Sequence, residues 1–130
     1  LLENFSGQLV LCKFEVTKHY GDSPIYLRNQ LEIQCIGRGS CIINGEGAFI
    51  YIVGDDAKVL IQGLTFRGAS NTAVTVENSS INFHLICDCN FDENKRIHRG
   101  GAIKTSDDTR VIVESSRFFN NYGHWGGAIY

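Results

Sequence analysis

Phe91-Asp92-Glu93-Asn94 is followed by Gly100-Gly101-Ala102-Ile103, and Phe118-Phe119-Asn120-Asn121 is followed by Gly126-Gly127-Ala128-Ile129. The Phe-x-x-Asn motif recurs after 27 residues and the Gly-Gly-Ala-Ile motif after 26. Two motifs returning in one order at one period mark a chain of stacked units, each too small to bury its apolar face alone.

The period extends upstream. Leu60-Ile61-Gln62-Gly63-Leu64-Thr65-Phe66 matches Leu85-Ile86-Cys87-Asp88-Cys89-Asn90-Phe91 at a shift of 25, and Val111 to Phe118 continues the series. Leu31-Glu32-Ile33-Gln34-Cys35 is a weaker, earlier copy. Within each unit, short β-branched or aromatic runs alternate with polar residues, and glycine or polar turns separate the runs. Alternation buries one face. Val59 and Ile61, His84 and Ile86, and Val111 and Val113 are therefore predicted to share inward rows, as are Leu64 and Phe66, Cys89 and Phe91, and Ser116 and Phe118. The fold expected is all-β, a right-handed parallel β-helix of about five partial or whole coils, within a longer solenoid. Residues 1–57 form its less regular part and residues 58–130 its regular part.

Bulk composition agrees. With 130 residues and 43% apolar content the chain can bury one continuous core. Fourteen glycines, one proline and no methionine suit short strands joined by tight turns. A net charge of −2 and scattered Lys and Arg argue against nucleic acid as a partner. No apolar run reaches the ~18 residues that cross a bilayer as a helix, and no signal-like segment opens the chain, so any targeting signal or anchor is expected outside it.

Five cysteines are an odd number. Cys35 and Cys41 flank a glycine-containing loop that can fold back, and a disulfide is expected there. Cys87 and Cys89, about 7 Å apart on an extended strand, are too distant to bridge and should each pack inward or pair elsewhere. Cys12 has no evident partner. Asn4-Phe5-Ser6 and Asn78-Ser79-Ser80 are glycosylation sequons, which together with a disulfide point to the eukaryotic secretory route.

Most polar repeat letters have structural explanations. Asn94 and Asn121 follow inward phenylalanines by three residues, at a bend where an amide can satisfy its own coil and stack on its neighbour. Together with Phe66, Phe91 and Phe118 they are read as ladder residues rather than catalytic ones. The glycine pairs are read as turns that begin a strand after a long loop, not as a phosphate cradle.

The paired Phe-x-x-Asn and Gly-Gly-Ala-Ile motifs resemble the repeats of the chlamydial polymorphic outer-membrane proteins and similar β-helix proteins of diatoms and related algae. The resemblance covers residues 58–130 well and residues 1–57 only through the strand pattern. The stretch from Gln34 to Gly45 is more similar to the algal branch, which makes an alga the expected source. The resemblance implies a fold without assigning a function, because adhesins, pectic-polysaccharide enzymes and structural surface proteins share it.

Two groups of residues remain chemically suggestive. Gly54-Asp55-Asp56 and Ser106-Asp107-Asp108 align two coils apart, with Glu77 between them. Stacked carboxylates could bind Ca²⁺ or act as acid and base on a polysaccharide, as the resemblance to pectate lyases and polygalacturonases implies. A solvated turn, in which aspartate bonds local backbone, is the plainer account of both pairs. The Asn-Thr-Asp, His-Gly and Arg-x-Lys elements of such enzymes are missing, so an enzyme is not supported. His98-Arg99 and His124-Trp125 precede the glycine pairs at a spacing of 26. Stacked imidazoles could ligate a metal and Arg99 with Trp125 could hold a sugar ring, but no third metal ligand recurs at the repeat spacing, and a loop covering the sheet edge is the plainer account. No metal or cofactor is assigned. His84, at an inward position, is expected to make a core hydrogen bond.

The function expected is a secreted or cell-surface structural or adhesive module, non-enzymatic, offering a long surface to protein or glycan. A polysaccharide-active enzyme using Asp55, Asp56, Asp107 and Asp108 is the alternative. Unpaired strand edges at the ends also allow end-to-end self-assembly.

Overall fold

The computed structural model describes residues 5–37, 39–77, 83–106 and 108–130. It is a parallel β-solenoid, and the described residues contain strands and turns but no helix. The first face stacks β1 (Gly7–Leu11), β4 (Gln30–Cys35), β7 (Lys58–Gln62), β10 (Phe83–Cys87) and β14 (Arg110–Glu114). The second stacks β2 (Phe14–Lys18), β5 (Cys41–Gly45), β8 (Leu64–Arg67), β11 (Asn90–Asp92) and β15 (Arg117–Phe119). The third stacks β3 (Ile25–Leu27), β6 (Ile50–Val53), β9 (Val74–Glu77) and β13 (Ile103–Thr105), and Ile129 extends it through a bridge to Ile103. A separate ribbon pairs β12 (Lys95–Arg99) with β16 (Tyr122–Trp125). Five strands on a face enclose four coil-to-coil steps, so the solenoid makes about four turns rather than the five coils expected, the last unit reaching the third face only through the Ile129 bridge.

The inward rows follow the predicted register. Val59 lies opposite Leu31 and Ile61 opposite both Ile33 and Ile86, while His84 and Ile86 oppose Val111 and Val113. Around the next corner Phe66, Phe91 and Phe118 form one row, with ring centroids 5.0 and 4.9 Å apart and planes 19° and 2° from parallel. Each such stacked pair contributes about 0.5–1.5 kcal/mol beyond its area burial. Phe66 and Phe91 are fully buried.

The corners explain why certain residues repeat. Between the first and second faces the chain turns at Gly63, Asp88 and Ser115, which share a left-handed backbone with φ of 79°, 53° and 49°. Between the second face and the next segment it turns at Gly68, Glu93 and Asn120, again with positive φ. Short polar residues and glycine tolerate this region best, which is why the turn letters are polar while the flanking letters are apolar. Cys87 and Cys89 straddle the Asp88 corner and so do not share a strand. Cys89 is buried as expected, but Cys87 is only half-buried, in the outward row with Gln62 and Glu114, so its expected inward packing is corrected.

The asparagine ladder is present at the second corner. Asn94 is fully buried, its Oδ1 accepting the Ala69 N–H at 3.0 Å and its Nδ2 donating to the Phe66 carbonyl at 3.0 Å. Asn121 Oδ1 accepts from both the backbone N and the Nδ2 of Asn94 at 3.1 and 3.0 Å, and Asn121 Nδ2 donates to the Phe91 carbonyl at 2.9 Å. Each amide thus satisfies two backbone groups of the preceding coil or its neighbour, which would otherwise be buried without partners.

Two stability outcomes are expected from this arrangement, both read by urea denaturation. Asn94→Ala orphans the Ala69 N–H and the Phe66 carbonyl and costs about 2–4 kcal/mol, more than the half-exposed Asn121→Ala. A Cβ at Gly101 would lie inside 3.0 Å of the carbonyl oxygens of Tyr122, Asn94 and Gly127, whereas one at Gly127 meets its nearest neighbour at 3.8 Å. Gly101→Ala therefore destabilises by about 1–3 kcal/mol, and Gly127→Ala by less than about 0.5 kcal/mol.

Candidate functional site

The ribbon arises from extra residues. Phe66 pairs with Phe91 at a separation of 25, yet Val74 pairs with Ile103 at a separation of 29, so the fourth coil carries four more residues than the third between these faces. They form β12. The stretch expected as a long loop covering the sheet edge is therefore a strand, because the next coil carries matching residues that pair with it. Lys95 opposes Tyr122, Arg96 opposes Gly123 and Arg99 opposes Trp125, with an irregularity between Arg96 and Arg99. Four steps along β12 match three along β16, so β12 bulges by one residue and its side chains splay.

The ribbon is tied down at its base. Lys95 N–H donates to the Ala69 carbonyl at 2.6 Å, Tyr122 N–H to Asn94 at 2.8 Å and Gly100 N–H to Trp125 at 3.0 Å. Thr72 Oγ1, itself buried, donates to the Gly100 carbonyl at 2.8 Å and accepts from Arg96 Nη1 at 3.3 Å. Beyond this base the side chains face solvent. Ile97 is 79% exposed, Trp125 63% and Tyr122 57%, and Lys95, His98, Arg99 and His124 are exposed as well.

Arg99 and Trp125 are therefore paired across the ribbon, whereas His98 and His124, expected to stack, are not among its register partners. The Arg99 guanidinium lies 4.9 Å above the Tyr130 ring, and His124 meets Trp125 edge-on at 6.0 Å. Sequence reasoning missed Tyr130, Lys95 and Arg96. Lys95-Arg96-Ile97-His98-Arg99 gathers three of the Lys and Arg residues read above as scattered, which corrects that reading, and the exposure of the run depends on the extra strand. Cationic side chains beside unburied rings can grip carboxylate or sulfate while a ring face packs on an apolar sugar surface.

The acidic turns are placed differently. Asp55 and Asp56 are exposed in the turn between β6 and β7, and Asp108 is exposed with a φ of 65° in the turn between β13 and β14. These turns occupy the same corner two coils apart, which separates their backbones by about 10 Å. Glu77, opposite Val53, lies 3.9 Å from Lys104 Nζ in a partly exposed pair. Asp107 and the sequon residues Asn4 and Asn78 lie outside the described residues. Among the described residues no three His, Cys, Asp or Glu side chains gather as ligands for a metal such as Ca²⁺.

Cys35 and Cys41 form the expected disulfide, with Cα atoms 6.0 Å apart. Cys89 Sγ lies 3.7 Å from the Ile61 carbonyl, and burial pushes its thiol up to about 12. Burial likewise raises the Cys87 thiol, with Asp88, Glu114 and Glu32 adding to the effect.

His84 is fully buried, and its Nδ1 accepts the Val59 N–H at 3.2 Å, which places the neutral ring's proton on Nε2. Burial lowers its pKa below the ordinary 6.5. Below pH 6.5 the unfolded chain therefore binds a proton that the folded chain does not, so this contribution to stability is complete above 6.5 and lost as pH falls through the folded pKa. Urea denaturation at pH 7 and pH 5 is expected to show a larger loss of stability for the wild-type chain than for His84→Asn, which keeps an acceptor without titrating; equal losses would exclude His84 as the source.

No protein-family model, no curated protein and no solved structure matches this chain, so the likeness of its repeats to the chlamydial ones rests on the two motifs.

Proposed function

We propose that the chain is a non-enzymatic β-solenoid module of a secreted or cell-surface protein, and that its β12–β16 ribbon is a contact surface for an acidic glycan. The observation that carries this is the ribbon itself: Lys95, Arg96, His98 and Arg99 lie on one strand beside Trp125 and Tyr130, in the two coils that carry extra residues. No acidic residue occurs in β12 or β16. Three cations, Lys95, Arg96 and Arg99, without counter-charges on their own ribbon favour an anionic ligand, and the adjoining rings favour a sugar over a free anion.

The disulfide, the two sequons and the surface-protein resemblance of the repeat support an extracellular setting. The asparagines and paired glycines are consumed by the scaffold, which leaves the ribbon as the richest source of uncommitted chemistry. Its rigid base holds these side chains without asking the ligand to order a loop.

Titration of the full chain with polygalacturonate, a sulfated glycan and a neutral glucan, followed by isothermal calorimetry, tests the proposal. An acidic polymer is expected to bind with salt-sensitive affinity, unaffected by a Ca²⁺ chelator, and Arg99→Ala or Trp125→Ala should weaken it at least about tenfold. Binding of the neutral glucan alone, or binding undisturbed by both substitutions, overturns it. Depolymerisation of any of these polymers that is abolished by Asp55→Asn with Asp56→Asn would establish the enzyme instead.

A further inference from the structure

Cys12, Cys35 and Cys41 meet at the corner between the first and second faces in the first two coils. Leu11 opposes Cys35 and Phe14 opposes Cys41, so the connection carrying Cys12 crosses the same corner that the bridged loop spans. The Leu11 carbonyl accepts the Ile36 N–H at 2.9 Å and lies 3.9 Å from Cys41 Sγ. Ser40 Oγ lies 3.4 Å from the Cys12 carbonyl and 3.4 Å from Cys35 Sγ. One strand spacing combined with one step along the strand puts the Cys12 and Cys35 Cα atoms about 6 Å apart, inside the range a disulfide needs.

We propose that this corner is a thiol–disulfide exchange site, in which Cys12 displaces Cys41 from Cys35 and moves the bridge from within one loop to between two coils. Cys12 is free and exposed, Cys35 is half-buried and Cys41 is fully buried, so Cys35 is the accessible sulfur. Cys12 gives its proton to solvent and its thiolate attacks Cys35 Sγ. The Cys12–Cys35 bond forms as the Cys35–Cys41 bond breaks, and the departing electron pair leaves Cys41 as a thiolate that takes up a proton. One thiol and one disulfide are present before and after, so no external oxidant or reductant enters. The new thiol is left at a buried site opposite Phe14, where a neutral cysteine packs as a small apolar residue. Cys87 and Cys89 lie further along the solenoid, beyond Gly63, whose Cβ position is 3.3 Å from Cys35 Cβ, and they do not compete for this bridge.

The two bridges do different work. Cys35–Cys41 closes a segment of 7 residues within one loop, whereas Cys12–Cys35 closes 24 and staples the first coil to the second. The longer loop constrains the unfolded chain more. Exchange therefore decides whether the first coil is covalently tied to the solenoid.

Tryptic mapping without reduction reads the exchange directly, because Lys13 follows Cys12 and Arg38 separates Cys35 from Cys41, placing the three in peptides 1–13, 29–38 and 39–58. The full chain is held at pH 8 without reductant, quenched in acid, blocked with a maleimide and digested. Peptide 29–38 is expected joined to 39–58 in one population and to 1–13 in another of at least about one tenth, the latter absent from Cys12→Ser. Cys41→Ser, oxidised with glutathione disulfide because it holds no bridge to exchange, should join peptide 29–38 wholly to 1–13. Peptide 29–38 joined only to 39–58 in the wild-type chain, or Cys12 paired with Cys87 or Cys89, overturns the proposal without needing any variant to fold.

Discussion

Parallel pairing between successive coils is the constraint on which the rest of this structure depends. A strand of three to six residues has too little apolar surface to fold alone, and here each one pairs along its edges with strands 23 to 29 residues away. Each coil must therefore place the same kinds of side chain at the same heights as its neighbour. Phe66, Phe91 and Phe118 stack because they share a register, and the amides of Asn94 and Asn121 serve adjacent coils for the same reason. Substitution at a ladder position is felt by three coils at once.

The same constraint governs the corners. A coil changes direction sharply enough to keep its strands in register only by adopting left-handed backbone at fixed places, and six of the positive-φ residues fall into two equivalent rows: Gly63, Asp88 and Ser115, and Gly68, Glu93 and Asn120. At the second-coil corner a looser loop replaces the tight turn, and a disulfide closes it. This exception puts Cys12 beside a bridged pair, so its chemistry follows from a departure from the repeat.

Functional potential concentrates at the other departure. Where the fourth coil gains four residues the pairing is preserved by a compensating strand in the fifth, and the ribbon projects from the solenoid instead of disrupting it. Side chains on a projecting ribbon face no packed layer, so Lys95, Ile97, Arg99 and Trp125 are exposed even though the backbone beneath them is anchored. By contrast, the acidic turns of Asp55, Asp56 and Asp108 sit on coils two apart, at the corner that the repeat assigns them.

Periodicity determined the all-β solenoid, the inward rows, the asparagine ladder and the buried His84, because each depends on spacing within one or two coils, and the Cys35–Cys41 bridge was legible from the glycine-containing loop between the two cysteines. Periodicity did not determine how many turns those units complete, that Cys87 faces outward, or that the stretch before each glycine pair is a strand. Cys87 and Cys89 differ because a left-handed residue at Asp88 reverses the alternation between them, and a two-residue spacing carries no trace of that turn. The ribbon was hidden for a related reason. Val74 and Ile103 lie 29 residues apart while Phe66 and Phe91 lie 25 apart, and only the paired structure shows that the excess becomes strand β12, sets Arg99 over Tyr130 and leaves a basic, aromatic surface open to solvent.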